Sequence, residues 1–322
     1  MSKKNDMIAA LQCKVPKGMV PTWELEFQAW DAASGRHAIF GDEFEKLTAA
    51  EKERTMHVNS EILLSVADEM QWSALTVPGM WWEQAPGERA YYTMQPASRA
   101  RHCEILKSMA PADLMLVAAA GGIIAARYDE EFCLQMAEAP ELIDALCADY
   151  YTGGIEEAKR FRDLGVEAIV VPADIADNHG PFYSPVQMRR WIYPWARRYS
   201  DTIRSLGLFS IFHTDGNLMS YIDDMAACGF DALQAIDPVA GMDIVAVQQA
   251  TTGKICLCGN IDCGLLLTGK PEEVFEATCR LLFDCKPLGG FVLGASNAVQ
   301  PDVPIENYRA HIAAWCEMGT MK

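Results

Sequence analysis

Eight short apolar runs, separated by longer amphipathic stretches, constrain this chain more than any other feature of its sequence. The runs fall at residues 19–27, 74–78, 114–120, 168–172, 208–212, 232–236, 255–258 and 291–293. Most are apolar at every position, the pattern of parallel strands covered on both faces. The stretches between them predict helices, most clearly over 49–70, 141–164, 185–206, 219–228, 271–285 and 305–315. Ser184-Pro185 pairs a capping residue with a proline at the first helical position. Leu206-Gly207 and Cys228-Gly229 end helices with a residue free to turn left-handed before the next strand. Alternating strand and helix with eight repeats predicts an α/β fold, a (β/α)8 TIM barrel, rather than an open sheet. No Gly-x-Gly-x-x-Gly follows the first run, so a dinucleotide fold has no support. No linker rich in Pro, Ser or Gly divides the chain, and residues 1–322 are expected to form one domain. The irregular aromatic segment within 79–95 predicts an extra hairpin or a lid over the barrel mouth.

Composition narrows the class of partner. The net charge is −17 and the pI near 4.7, a surface that repels phosphate backbones and anionic headgroups. Neither nucleic acid nor a membrane surface is therefore expected as a partner. No run of about 18 apolar residues is present, and the amino-terminal stretch has no apolar core of a signal peptide. With eleven cysteines scattered along its length, the chain reads as a cytoplasmic protein with reduced thiols.

A barrel of this kind places its chemistry at the carboxyl ends of its strands. The first run carries Glu24 and Glu26, which alternation puts on one face. The second runs into Pro78, Gly79 and the pair Trp81-Trp82, the third into Gly121-Gly122, and the fourth into Asp174, Asp177 and His179. The fifth ends in His213, Asp215 and Asn217, the sixth in Asp237-Pro238, the seventh in Asn260 and Asp262, and the eighth in Ser296 and Asn297. Asn217 and Asp237 read as caps or turns. His213 directly follows an apolar run and should project into the mouth. Converging His, Asp and Glu groups can bind zinc or act as general acids and bases, and no compact ligand motif decides between them. Cys256 and Cys258 share a strand face and read as buried structural thiols, with Cys263 just past the strand end as a minor candidate.

At HTDGN, AIDPVAGMDI, GNID and FVLGASNAVQPDVPIENY the sequence resembles the uroporphyrinogen decarboxylase superfamily, best from 166 to 315. That resemblance implies a (β/α)8 barrel, and the superfamily contains both decarboxylases and corrinoid-dependent methyltransferases. True decarboxylases carry an arginine-rich segment after the first strand and a Gly-His-Gly element at the last. Here the corresponding stretches are PTWELEFQAW and Gly294-Ala295-Ser296-Asn297, so a porphyrinogen rich in carboxylates is a poor substrate. Thiol-directed methyltransferases of the superfamily hold zinc through a His-x-Cys pair and a distant cysteine. Here the pair is His213-Thr214-Asp215, and the last loop offers Ser296 and Asn297.

An oxygen-rich site suits an oxygen substrate, because harder ligands leave a metal the stronger Lewis acid. The resemblance thus implies an O-demethylase type of methyltransferase. It would demethylate a small methoxylated compound, expected to be aromatic, and pass the methyl group to the cobalt of a separate corrinoid protein. Asp174, Asp177, His179, His213 and Asp215 would supply the proton or the metal, with His213 and Asp174 as the candidate zinc ligands. Glu24, Trp81, Asn260, Ser296 and Asn297 would contact substrate. Trp81, Trp82, Tyr91 and Tyr92 either wall an aromatic ring or pack a surface excursion. The rival expectations are methyl transfer from corrinoid to tetrahydrofolate or a thiol, a divergent decarboxylase-like lyase, and a binding protein that kept the barrel without its chemistry. The pattern leaves room for a homodimer.

Overall fold

The computed structural model describes residues 2–79, 83–85, 88–89 and 93–321. Seven parallel strands form one curled sheet: β1 (Ala74–Thr76), β2 (Met115–Ala119), β3 (Ala168–Pro172), β4 (Phe209–Thr214), β5 (Ala232–Ala235), β6 (Cys256–Ile261) and β7 (Phe291–Ala295). Each strand pairs with its neighbours in sequence, so the order across the sheet is the order along the chain. Helices carry the crossovers, as parallel connections require. The long ones, Ala49–Glu69, Pro140–Asp163, Pro271–Cys285 and Ile305–Met318, lie within two residues of the expected ends, apart from the last, which runs three residues further.

The apolar runs sort into two cores by strict alternation. Met115, Val117, Ala119, Ala168, Val170, Ile211, Ala232, Cys256 and Cys258 face the concave side of the sheet. Leu116, Ala118, Ile169, Val171, Phe212, Leu233 and Leu257 face the helices. Both sides are buried, which is why the runs show no polar alternation. The amino-terminal helix Lys3–Leu11 adds Met7, Ala10 and Leu11 to the inner core.

The first expected strand differs. Residues 19–27 make only isolated bridges, Met19 to Thr320, Thr22 to Leu293 and Phe27 to Val299. Pro21 offers no N–H for a continuous ladder. The segment nonetheless touches both edges of the sheet. The Trp23 N–H donates to Leu293 O at 3.0 Å, Leu293 N–H donates to Pro21 O at 2.9 Å, and Ser73 N–H donates to Thr22 O at 2.8 Å.

The expected helix at 185–206 forms, but with a π turn at Met188–Ile192 ahead of Tyr193–Ser205. Several helices were not anticipated, among them Pro96–Met109 and Glu130–Glu138. Gly207 and Gly229 end their helices at φ of 77° and 83°, as expected. Between Gly79 and Met94 the described backbone contains a short antiparallel pair, Glu83–Ala85 with Glu88–Arg89. Trp81, Trp82, Tyr91 and Tyr92 lie outside the described residues. No helix among the described residues is long and apolar enough to cross a membrane.

Candidate functional site

A cavity of about 910 Å³ opens at the carboxyl ends of the strands, with residues from 24–30, β1, β3, β4 and the loops after β3, β4, β5 and β7 in its wall. His213 reaches it by strand periodicity. Ile211 faces the inner core and Phe212 the helices, so residue 213 faces in. His213 is 7% exposed. Its register partner on β5 is Gln234, whose Oε1 contacts His213 Nδ1. The Gln234 amide N–H donates to the carbonyls of Ala295 and Ser296 at 3.5 and 3.3 Å, which turns its oxygen toward the histidine. Nδ1 therefore carries a proton, an assignment from the hydrogen-bond network, and Nε2 is the ring nitrogen that faces the cavity.

That nitrogen meets two carboxylates. Asp174 Oδ1 lies 3.7 Å and Asp215 Oδ1 4.0 Å from His213 Nε2. The Asp215 N–H donates to Asp174 Oδ1 at 2.9 Å, and the Asn297 side-chain N–H donates to Asp215 Oδ2 at 2.6 Å. Asp215 Oδ1 is buried without a hydrogen-bond partner among the described residues. Burial raises the Asp215 carboxyl to about 6, with the Asp174 and Asp237 carboxylates adding to the shift and His213 and Asn297 opposing it. The tight loop after β4 is possible because residue 216 is glycine at φ 87°, where a Cβ would stand 2.6 Å from the Ala176 carbonyl carbon.

The ligand atoms of Asp174, His213 and Asp215 lie within 4.8 Å of one another. Tetrahedral zinc ligands at about 2.1 Å from the metal stand roughly 3.4 Å apart, so closure needs only small side-chain movements. One orphaned carboxylate oxygen and one oriented imidazole nitrogen make the set suitable for a divalent metal.

A second polar group lies on another part of the wall. Glu24 is 4% exposed; the Tyr308 hydroxyl donates to its Oε1 at 2.8 Å and the Ala295 N–H to its Oε2 at 2.9 Å. Burial pushes this carboxyl up to about 8, against the two hydrogen bonds. Glu26 also borders the cavity and accepts from the Gln28 amide at 3.3 Å. Ser296 and Asn297 line the wall, and the Ser296 hydroxyl donates to Cys263 Sγ at 3.5 Å.

Other expected site residues sit elsewhere. Asp177 and His179 belong to a small hairpin, and neither borders the cavity. His179 has a 95% exposed side chain, and Asp177 Oδ1 accepts its backbone N–H at 2.7 Å, which is a turn interaction. Asn260 donates to Ile236 O at 2.6 Å, a buried structural bond away from the cavity wall. Asn217 and Asp237 make the expected turn bonds, to the N–H groups of Met219 and Val239, although Asp237 also borders the cavity. Cys256 and Cys258 are buried in the inner core, as expected. Sequence reading missed Gln234, Trp72 and Tyr308. The signal for Gln234 was present, since it is the one polar residue of an otherwise apolar strand.

The family model of uroporphyrinogen decarboxylase (URO-D) matches residues 104–318. The chain belongs to this family. The URO-D match covers β2 to β7, with His213 on β4 and the loops that carry Asp174, Asp215 and Asn297. Among curated proteins, the methylcobamide:CoM methyltransferase MtaA of Methanosarcina barkeri is 24% identical over 161 residues, 50% of this chain and 44% of that protein. The protein of the same name from strain Fusaro is 22% identical over 161 residues. The chain thus spans less than half the length of these curated relatives. A solved methyltransferase from Methanosarcina mazei superposes with a TM-score of 0.75 at 16% identity, covering 98% of this chain and 99% of that one, which establishes a shared fold.

Proposed function

We propose that this URO-D family chain is a corrinoid-dependent methyltransferase that takes the methyl group from a small methoxylated, aromatic compound. The methyl acceptor is the cobalt of a corrinoid carried by a separate protein. The observation that supports this most is the donor set of Asp174, His213 and Asp215 at the mouth of a barrel whose relatives are named as methyltransferases. The reading takes residues 1–322 as one domain, with 21–27 closing the barrel between β7 and β1.

Asp174, His213 and Asp215 would hold zinc, a Lewis acid that draws electron density from a bound ether oxygen. Gln234 keeps the His213 lone pair aimed at that position, and Asn297 holds Asp215 in place. The apolar wall from Leu75, Val77 and Trp72 excludes water from the ring. A cavity of about 910 Å³ has room for one substituted arene.

The name of the relatives favours a second reading, methyl transfer from corrinoid to the thiol of coenzyme M. Two observations weigh against it. The donor set contains no thiolate, and no Lys or Arg borders the cavity among the described residues to receive a sulfonate.

The deciding experiment incubates zinc-loaded protein with reduced corrinoid and a methoxyarene such as guaiacol, and separately with methylated corrinoid and coenzyme M. Methylated corrinoid in the first mixture supports demethylation. Methylated coenzyme M in the second, with none in the first, replaces it with the thiol reading.

A further inference from the structure

Glu24 has a placement that the metal donors do not explain. The residue is 4% exposed yet borders the cavity. Among the described residues no cation stands against it. The titratable groups set beside it are Tyr308 from the last helix and Cys263 from the start of Cys263–Thr268, with Glu26 two residues along its own segment. An ionised carboxylate in such a setting loses hydration without gaining a counter-charge.

The hydrogen bonds say where a proton on this group would point. Oε1 receives the Tyr308 hydroxyl and Oε2 receives the Ala295 amide. Tyr308 itself receives the Trp72 indole N–H at 2.8 Å and gives its own proton to Glu24. Both partners are thus donors, and among the described residues no protein atom accepts a hydrogen from this carboxyl group. The free direction is the cavity.

We propose that Glu24 stands in the cavity wall as a neutral carboxyl group and donates a hydrogen bond to an oxygen of the substrate. This rests on the substrate reading above and adds to it a second anchor, apart from the metal donors. Such a group selects a ligand with two oxygens, one for the Asp174, His213 and Asp215 set and one for Glu24. A dimethoxylated or methoxy-hydroxylated ring has that chemistry. The raised proton affinity of Glu24 agrees with the geometry.

The test is infrared spectroscopy of the whole protein with veratrole, which has no ionisable group. The expected protonated-carboxyl band is present at pH 7, titrates away with a midpoint near 8, is missing in Glu24→Gln, and shifts when veratrole is added. The affinity for veratrole should weaken about tenfold per pH unit above the midpoint in the wild type and stay level in Glu24→Gln. A wild-type spectrum without the band at pH 7 overturns the proposal, and needs no variant. A band that veratrole, anisole and methanol all leave unmoved overturns it too. A shifted band in a protein that never demethylates veratrole keeps Glu24 as a binding group and removes the demethylation reading instead.

Discussion

Replacing Tyr308 with Phe isolates the network that holds Glu24. Tyr308, Trp72 and Glu24 are 1%, 1% and 4% exposed, and the phenol joins them with two bonds of 2.8 Å. Phenylalanine keeps the ring and its edge contacts with Phe27 and Trp72. It leaves the Trp72 N–H and Glu24 Oε1 without their partner. Each buried orphan costs about 1–3 kcal/mol, so the variant should lose roughly 2–6 kcal/mol. The loss should also depend on pH. The Tyr308 hydroxyl donates to Glu24 and pulls its pKa down, so removing it disfavours the ionised form further. Charge-assisted bonds exceed neutral ones by about 1 kcal/mol, so the cost is larger at pH 9.5, where Glu24 is ionised, than at pH 6. Urea unfolding at the two pH values, followed by circular dichroism, measures both numbers. A loss under about 0.5 kcal/mol at both pH values, or a larger loss at pH 6, would refute the reasoning.

Glu24→Gln should flatten the pH dependence of stability. The folded carboxyl sits at about 8 against an ordinary 4.5, so the native state keeps a proton that the unfolded chain has released. Wild-type stability therefore falls as pH rises from about 4.5 to 8 and levels off beyond, by at most about 5 kcal/mol. Thermal unfolding at pH 5, 7 and 9 reads this, and an equal slope in the variant would contradict it. Gly154→Ala should destabilise by about 3 kcal/mol, because the new Cβ would lie 1.9 Å from the Gly121 carbonyl oxygen, a backbone atom that cannot step aside; chemical denaturation at a level below 1 kcal/mol would count against this packing. Zinc should bind near one equivalent by elemental analysis, and His213→Ala should lose it while keeping the fold by circular dichroism. Zinc affinity measured by calorimetry should fall as pH drops through about 6, where Asp215 takes up a proton, and an affinity that is level from pH 7.5 to 5 would argue against Asp215 as a ligand.

Local pattern alone determined much of this protein. Strand positions from β1 to β7 were legible because buried parallel strands must be apolar on both faces, and a run such as AIVVP at Ala168–Pro172 has few other uses. Helix ends at Ser184-Pro185 and Gly229 were legible because capping is a short-range interaction. His213 was legible because it continues the inward parity of Ile211 on β4. Tertiary structure alone decided which polar residues meet. Asp174 and Asp215 are 41 residues apart and converge only where β3 and β4 end side by side, whereas Asp177 and His179, three and five residues past Asp174, turn out to solvent on a hairpin. Glu24 and Glu26 share parity in sequence, and only the arrival of Ala295 and Tyr308, 271 and 284 residues away, makes one of them a buried acid. Periodicity reports the face a side chain takes within its own element. The company it keeps on that face is set by loop lengths and by packing between distant segments, which no local pattern encodes.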